Sequence, residues 1–162
     1  MFDVYDNFLS KEELQNLKEN ILENVYFPWY CSTYKVSPGD GIVQFYHMFY
    51  ENFNINSQYY KSLQTIINKI NPSAIRRIKA NLTYREKAFK NFDFHTDFPS
   101  NFENQKTGIF YMNTNNGKTV FENGEKIDSV ENRMVIFSAN LKHTGTTHTD
   151  TSIRCVINFN WY

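Results

Sequence analysis

The sequence predicts an α+β fold in which helices come first and a sandwich or jelly roll of antiparallel strands follows. Three observations carry this. Two segments within the first 70 residues place apolar side chains at helical spacing. After Pro72 the pattern changes to short strands between turn signals, about eight or nine counting those upstream, with no further helical period. Those strands alternate an apolar face with a polar one.

The elements follow in order. Residues 1–9 read as a short strand leading into a helix. Ser10 and Glu13 form an S-x-x-E capping box, with Leu9 and Leu14 at the staple positions. Leu14, Leu17, Ile21, Leu22 and Val25 then make one apolar stripe. A turn is expected over 36–40, at Ser37-Pro38-Gly39-Asp40, and an aromatic strand over 42–53. Its Phe45, Tyr46, Phe49, Tyr50 and Phe53 have both parities and read as core, with His47 packed or facing substrate. A second helix spans about 57–70, with Leu63, Ile66, Ile67 and Ile70 on one face and Pro72 as the stop. Further strands are expected over 76–84, 92–98, 107–113, 119–121, 126–129, 133–138 and 152–162, with Asn123-Gly124 as a hairpin turn. Arg76, Arg77 and Lys79 read as a solvated strand edge, able to guide an acidic partner.

Composition bounds the function. The 162 residues carry 17 Lys plus Arg, 17 Asp plus Glu and no net charge, as expected for one domain over 1–162. A neutral balance argues against nucleic acid as the partner. No apolar run reaches the 18 to 20 residues of a membrane span, and residues 1–10 lack the basic and apolar regions of a signal peptide, so a cytoplasmic location is expected. Cys31 and Cys155 have no metal-type spacing and read as reduced thiols. The 28 aromatics and 21 Asn stand out, and A/T-rich codons are one explanation that needs no function.

The polar strand faces carry the chemistry. Period-two reading of 92–98 sets Asp93, His95 and Asp97 opposite Phe92, Phe94 and Phe98. In 152–162, Ile153, Cys155, Ile157, Phe159 and Trp161 oppose Arg154, Val156, Asn158 and Asn160. An ordinary half-buried strand would give the same alternation. The two amphipathic helices nevertheless need an apolar surface to cover. If the apolar faces supply it from outside the barrel, the polar faces line an interior cavity. His95 and Asp97 lie about 6.5 Å apart along such a face, near enough to converge on one ion. His143 is the best candidate for the third ligand. Two His and one carboxylate form a facial triad of the kind that holds Fe(II) with positions left open. Arg154, the lone charge of its strand, needs an anion, and its fork matches a carboxylate. A second His-Thr-Asp at 148–150 has turn composition and no later His, and reads as a polar loop.

The ordered set His95-x-Asp97, His143 and Arg154 resembles that of the 2-oxoglutarate and Fe(II)-dependent oxygenases, in particular their prolyl-4-hydroxylase-like branch. The resemblance covers most of the chain. It begins with Val4-Tyr5-Asp6-Asn7-Phe8-Leu9-Ser10 and runs through Phe110-Tyr111-Met112-Asn113 and Gly117-Lys118-Thr119-Val120-Phe121. Asn132-Arg133-Met134-Val135-Ile136-Phe137-Ser138 and Arg154-Cys155-Val156-Ile157-Asn158-Phe159 follow in the family's order. It implies a double-stranded β-helix (jelly roll, cupin-like) of about eight antiparallel strands, with two N-terminal helices packed on the outer face of one sheet. It implies His95, Asp97 and His143 on Fe(II), and Arg154 on the distal carboxylate of 2-oxoglutarate, with Tyr111 as a second donor. Tyr84 resembles the family's Tyr near the chelating end of the cosubstrate, with Asn81 as its rival. Val156 stands where many members have Ser or Thr, and the branch's Gly between the Tyr84-like residue and His95 is absent.

The activity so implied is that of a hydroxylase that uses O2 and converts 2-oxoglutarate to succinate and CO2. Its substrate would be peptidyl proline or a small molecule. Segments 36–42 and 98–106 would shape the mouth of the site. Two other readings stay open: a cupin-like metal protein that does not use 2-oxoglutarate, and a noncatalytic β-sandwich binding module. The latter requires that His95, Asp97 and His143 not converge and that the polar faces meet solvent.

Overall fold

A computed structural model describes residues 1–34, 39, 43–98 and 104–162. The expected turn at 36–40, apart from Gly39, lies outside the described residues, as does most of each expected mouth segment. The chain runs β1 (Phe2–Tyr5), α1 (Lys11–Ile21), β2 (Tyr30–Ser32), β3 (Gln44–Glu51) and β4 (Asn54–Ile55). A 3₁₀ turn (Gln58–Leu63) leads into α2 (Gln64–Ile70). The remaining strands are β5 (Ile75–Tyr84), β6 (Lys106–Tyr111), β7 (Asn115–Phe121), β8 (Lys126–Ser129), β9 (Arg133–Ser138), β10 (His143–Gly145) and β11 (Ile153–Trp161).

The capping box at α1 forms as expected: Ser10 Oγ accepts from the Glu13 amide, and Glu13 accepts from the Ser10 amide. The helix stops before Val25, which is exposed and takes no part in the stripe. The second helical segment is a 3₁₀ turn that relaxes into α2, closed by Asn71 in the left-handed conformation ahead of Pro72.

All strand pairs are antiparallel. The larger sheet has the order β1-β9-β6-β11-β5-β3-β2, with β4 paired to β3, and the smaller has β10-β7-β8. Leu17 and Ile21 of α1 and Ile66 and Ile67 of α2 pack with Phe49, Ile78, Phe110, Ile157, Phe159 and Trp161 on the outer face of the larger sheet. A second core, between the sheets, joins Tyr111, Phe121, Ile127, Val135, Phe137 and Val156. This is the expected α+β jelly roll with its helices outside. The outer face needs close approach at Gly108, where a Cβ would stand 2.8 Å from the Trp161 ring.

Further expectations change: Phe53, read as core, is exposed. Residues 92–98 do not form a strand; His95 makes one isolated bridge to His143. Upstream, that path bonds to a side chain: the Lys90 amide donates to Thr147 Oγ1 at 2.7 Å, and Thr147 Oγ1 donates to the Ala88 carbonyl. Threonine takes the place of a ladder partner, and β10 is too short to supply more. Arg76, Arg77 and Lys79 are not on an edge, because β5 lies between β11 and β3. Arg76 stacks on Phe98, 3.8 Å from the ring centre, and the other two face inward.

Candidate metal centre and cavity

The alternation of β11 separates two environments. Cys155, Ile157, Phe159 and Trp161 enter the helix-covered core, whereas Arg154, Val156 and Asn158 line a cavity of about 330 Å³ between the sheets. His95, Asp97 and His143 also line this cavity, and one ligand atom from each lies within 4.8 Å of the others. The main chain sets this geometry. The His95 amide donates to the His143 carbonyl at 3.1 Å, and the His143 amide donates back at 2.9 Å.

The donor set fits a divalent transition metal. Nδ1 of His143 lies 3.1 Å from the Leu141 carbonyl, and Nδ1 of His95 lies 3.4 Å from that of Asp93. Protonation at Nδ1 leaves Nε2 with its lone pair, the form in which histidine ligates. Burial lowers the His143 pKa, against the opposing pull of Asp97, and so favours the neutral ring.

Asp97 is held on three sides. Oδ1 accepts from Arg77 Nη2 at 3.0 Å; Oδ2 accepts from Asn160 Nδ2 at 2.9 Å and Thr107 Oγ1 at 3.2 Å. Burial pushes this carboxyl up, but Arg77, His143, Asn160 and His95 outweigh it and hold it below the usual carboxylate range. A carboxylate offers about four lone-pair directions, so one remains for an ion.

Away from the triad, Arg154 is buried with Nε on Ser129 Oγ at 3.1 Å. Among the described residues no carboxylate pairs with it. Its path requires Gly117 on β7, where a Cβ would stand 2.9 Å from Arg154 Cδ. The Tyr111 hydroxyl donates to Thr119 Oγ1 at 2.7 Å, and the Arg154 guanidinium lies 5.9 Å from the Tyr111 ring centre. Thr119, Val156 and Ile109 form the adjoining cavity wall. A module with solvated polar strand faces is incompatible with this arrangement.

No family model matches the sequence, and no curated protein is similar to it at the sequence level. Solved structures do match over 99% of the chain. A Trichoplax adhaerens prolyl hydroxylase in complex with a hypoxia inducible factor peptide fragment is 12% identical, with TM-score 0.70 over 83% of that chain. An oxidoreductase of the 2OG-Fe(II) oxygenase family from Burkholderia pseudomallei is 13% identical, with TM-score 0.70 over 84% of its length. The non-heme alpha ketoglutarate dependent epimerase SnoN from nogalamycin biosynthesis is 13% identical, with TM-score 0.73 over 77%. The chain has the 2-oxoglutarate and Fe(II)-dependent oxygenase fold.

Within this oxygenase fold the remaining sequence candidates separate. Asn81 lines the cavity and accepts from Gln44 Nε2 at 3.0 Å. Tyr84 does not. It has the outward parity of Ile78 and Ala80, is exposed, and packs its ring edge-on to Phe45. Strand parity corrects that assignment, since Tyr84 and Asn81 cannot share a face. His47 is packed in the outer core, its ring nitrogens on the Pro28 carbonyl and Ser57 Oγ at 2.7 Å each. His148 is buried, as part of the loop before β11.

Sequence reasoning did not find Arg77, Thr107, Asn160 and Ser129 as partners of the site. Asn160 was already on the polar face of its strand, and Arg77 shares parity with Asn81. Their signal was the period-two face extended past the motif. No helix among the described residues is long and apolar enough to cross a membrane.

Proposed function

We propose that the protein is a 2-oxoglutarate- and Fe(II)-dependent dioxygenase acting as a hydroxylase. One observation carries the reading: a convergent His-Asp-His donor set shares one cavity with a buried Arg154 that has no carboxylate partner among the described residues. A metal protein that does not use 2-oxoglutarate gives no reason for the second feature. An unpaired buried guanidinium is costly unless an anion arrives to meet it.

Fe(II) bound with 2-oxoglutarate and O2 supplies the oxidising chemistry, coupling decarboxylation to succinate and CO2 with oxidation of a substrate C–H bond. His95, Asp97 and His143 would hold the metal on one side. Arg154 would bind the distal carboxylate of 2-oxoglutarate. The Tyr111–Thr119 hydroxyl pair would add a donor there, the work that Ser or Thr at position 156 would otherwise do. Ser129 fixes the guanidinium, while Val156 and Ile109 give the cavity an apolar wall that would limit water beside a bound cosubstrate. Arg77, Asn160 and Thr107 orient Asp97 and keep it ionised.

Anaerobic addition of Fe(II) and then 2-oxoglutarate is expected to produce a charge-transfer absorption band. His95→Ala should abolish both the band and high-affinity metal binding. Arg154→Gln should keep metal binding but weaken 2-oxoglutarate by about 2 kcal/mol or more, as for loss of a buried charge-assisted pair. Absence of the band in the wild-type protein overturns the reading.

A further inference from the structure

Among the described residues three cationic side chains, Arg77, Lys79 and Arg154, line the cavity against a single carboxylate, Asp97. Arg77 is engaged with that carboxylate, and Arg154 sits toward the other end of β11 on Ser129. Lys79 has no carboxylate within ion-pair distance among the described residues. Its ammonium lies 4.9 Å from the Tyr46 ring centre. Opposite Lys79 in the β5–β11 register is Asn158, whose side-chain oxygen is buried without a hydrogen-bond partner. Among the described residues one wall therefore presents a half-buried cation lacking a carboxylate beside a buried acceptor lacking a donor, and the acceptor is unfavourable while unmatched.

Cosubstrate and metal do not resolve this. A dication and a dianion cancel, so in the loaded cavity Lys79 still needs a carboxylate of its own. Lys79 on β5 and Asn158 on β11 face each other in register, between the level of Arg154 and that of Asn160, which holds Asp97, so a second molecule there would sit within the same cavity. At about 330 Å³ the cavity is at the low end for small-molecule sites, which suits a compact second molecule. Burial lowers the Lys79 pKa and Arg77 adds to this, against opposing pulls from Asp97 and Glu51; an arriving anion would relieve the strain.

We propose that Lys79 and Asn158 recognise the substrate, and that it is a small carboxylic acid bearing an N–H or O–H donor, an α-amino or α-hydroxy acid. Its carboxylate pairs with the Lys79 ammonium and its donor group reaches Asn158 Oδ1. This rests on the oxygenase reading above and narrows it from peptidyl proline to a free acid.

The test is calorimetric titration of the L-amino acids, their α-hydroxy analogues, their C-terminal amides and a prolyl peptide into protein loaded with Mn(II) and 2-oxoglutarate. At least one acid is expected to bind about tenfold or more tightly than its amide, the loss expected when a charged partner is removed. Lys79→Gln should lose that margin and Lys79→Arg should keep it, with 2-oxoglutarate affinity unchanged in both. Wild-type protein that binds neither Mn(II) nor 2-oxoglutarate overturns the oxygenase reading and this proposal with it. If both bind, the proposal alone falls on any of three results. They are equal affinity for acid and amide, binding of the prolyl peptide but no acid, and a Lys79→Gln variant that loses 2-oxoglutarate instead of the acid.

Discussion

At Asp97 a carboxyl with little solvent access stays ionised because three donors and two histidine rings surround it. A carboxyl whose folded pKa lies below its unfolded value stabilises the protein fully above the unfolded value and loses that contribution as pH falls through the folded one. In metal-free Arg77→Gln, burial meets one opposing charge fewer, and Asp97 should hold its proton at higher pH. Its contribution above the carboxylate range then shrinks. Denaturant unfolding from pH 7 to pH 3 should show a deficit of about 3 kcal/mol for the variant at neutral pH. That deficit should shrink through the carboxylate range; a constant gap would exclude this account. Asparagine gains a second explanation at this scale. Asn7, Asn52, Asn71 and Asn132 adopt positive φ, a conformation asparagine tolerates better than most residues, so codon bias is not the whole reason for its abundance.

Among the elements, those determined by their own residues were legible and those determined by neighbours were not. The capping box needs only Ser10 and Glu13, and the faces of β11 need only alternation. Residues 92–98 alternate equally well. Whether they form a strand depends on β10, which offers three residues and one bridge, and on Thr147, far away in sequence. β10 itself is too short to show a period. Arg77 was misplaced for a related reason: alternation gives its face, but only the sheet order shows that β5 is central. β7 carries the prediction at this scale. Gly117→Ala sets a methyl against Arg154 Cδ and Asn115 Oδ1, both at 2.9 Å, and neither can retreat freely from a packed strand. Weaker binding of 2-oxoglutarate is expected, with metal affinity retained. Titration of both ligands into the variant checks it, and equal losses would point to general unfolding.

For the whole molecule, the two cores divide the labour. The helix-covered core carries most of the large apolar side chains, while the space between the sheets holds the polar cavity. Leu17→Ala, on α1, should therefore cost about 3 kcal/mol without changing 2-oxoglutarate affinity per folded molecule. Thermal unfolding and titration of the same sample would separate the two effects. Conversely, the path through His95 is joined to β10 by a single bridge, so an ion shared by His95, Asp97 and His143 would add to the ties that Asp97 makes with β5, β6 and β11. Mn(II) at a hundred times its dissociation constant should add about 2.7 kcal/mol to stability.

The alternation of β11 also bears on how the chain reaches its native state. Its neighbours β5 and β6 grip it from both sides, and every second residue belongs to a different chemical world. A slip by one position would drive Arg154, Asn158 and Asn160 under the helices and turn Phe159 and Trp161 toward the metal ligands. No small adjustment repairs such an error. The strand that builds the site thus proofreads the barrel during assembly: a molecule that closes its outer core correctly has already aimed Arg154 at the cavity.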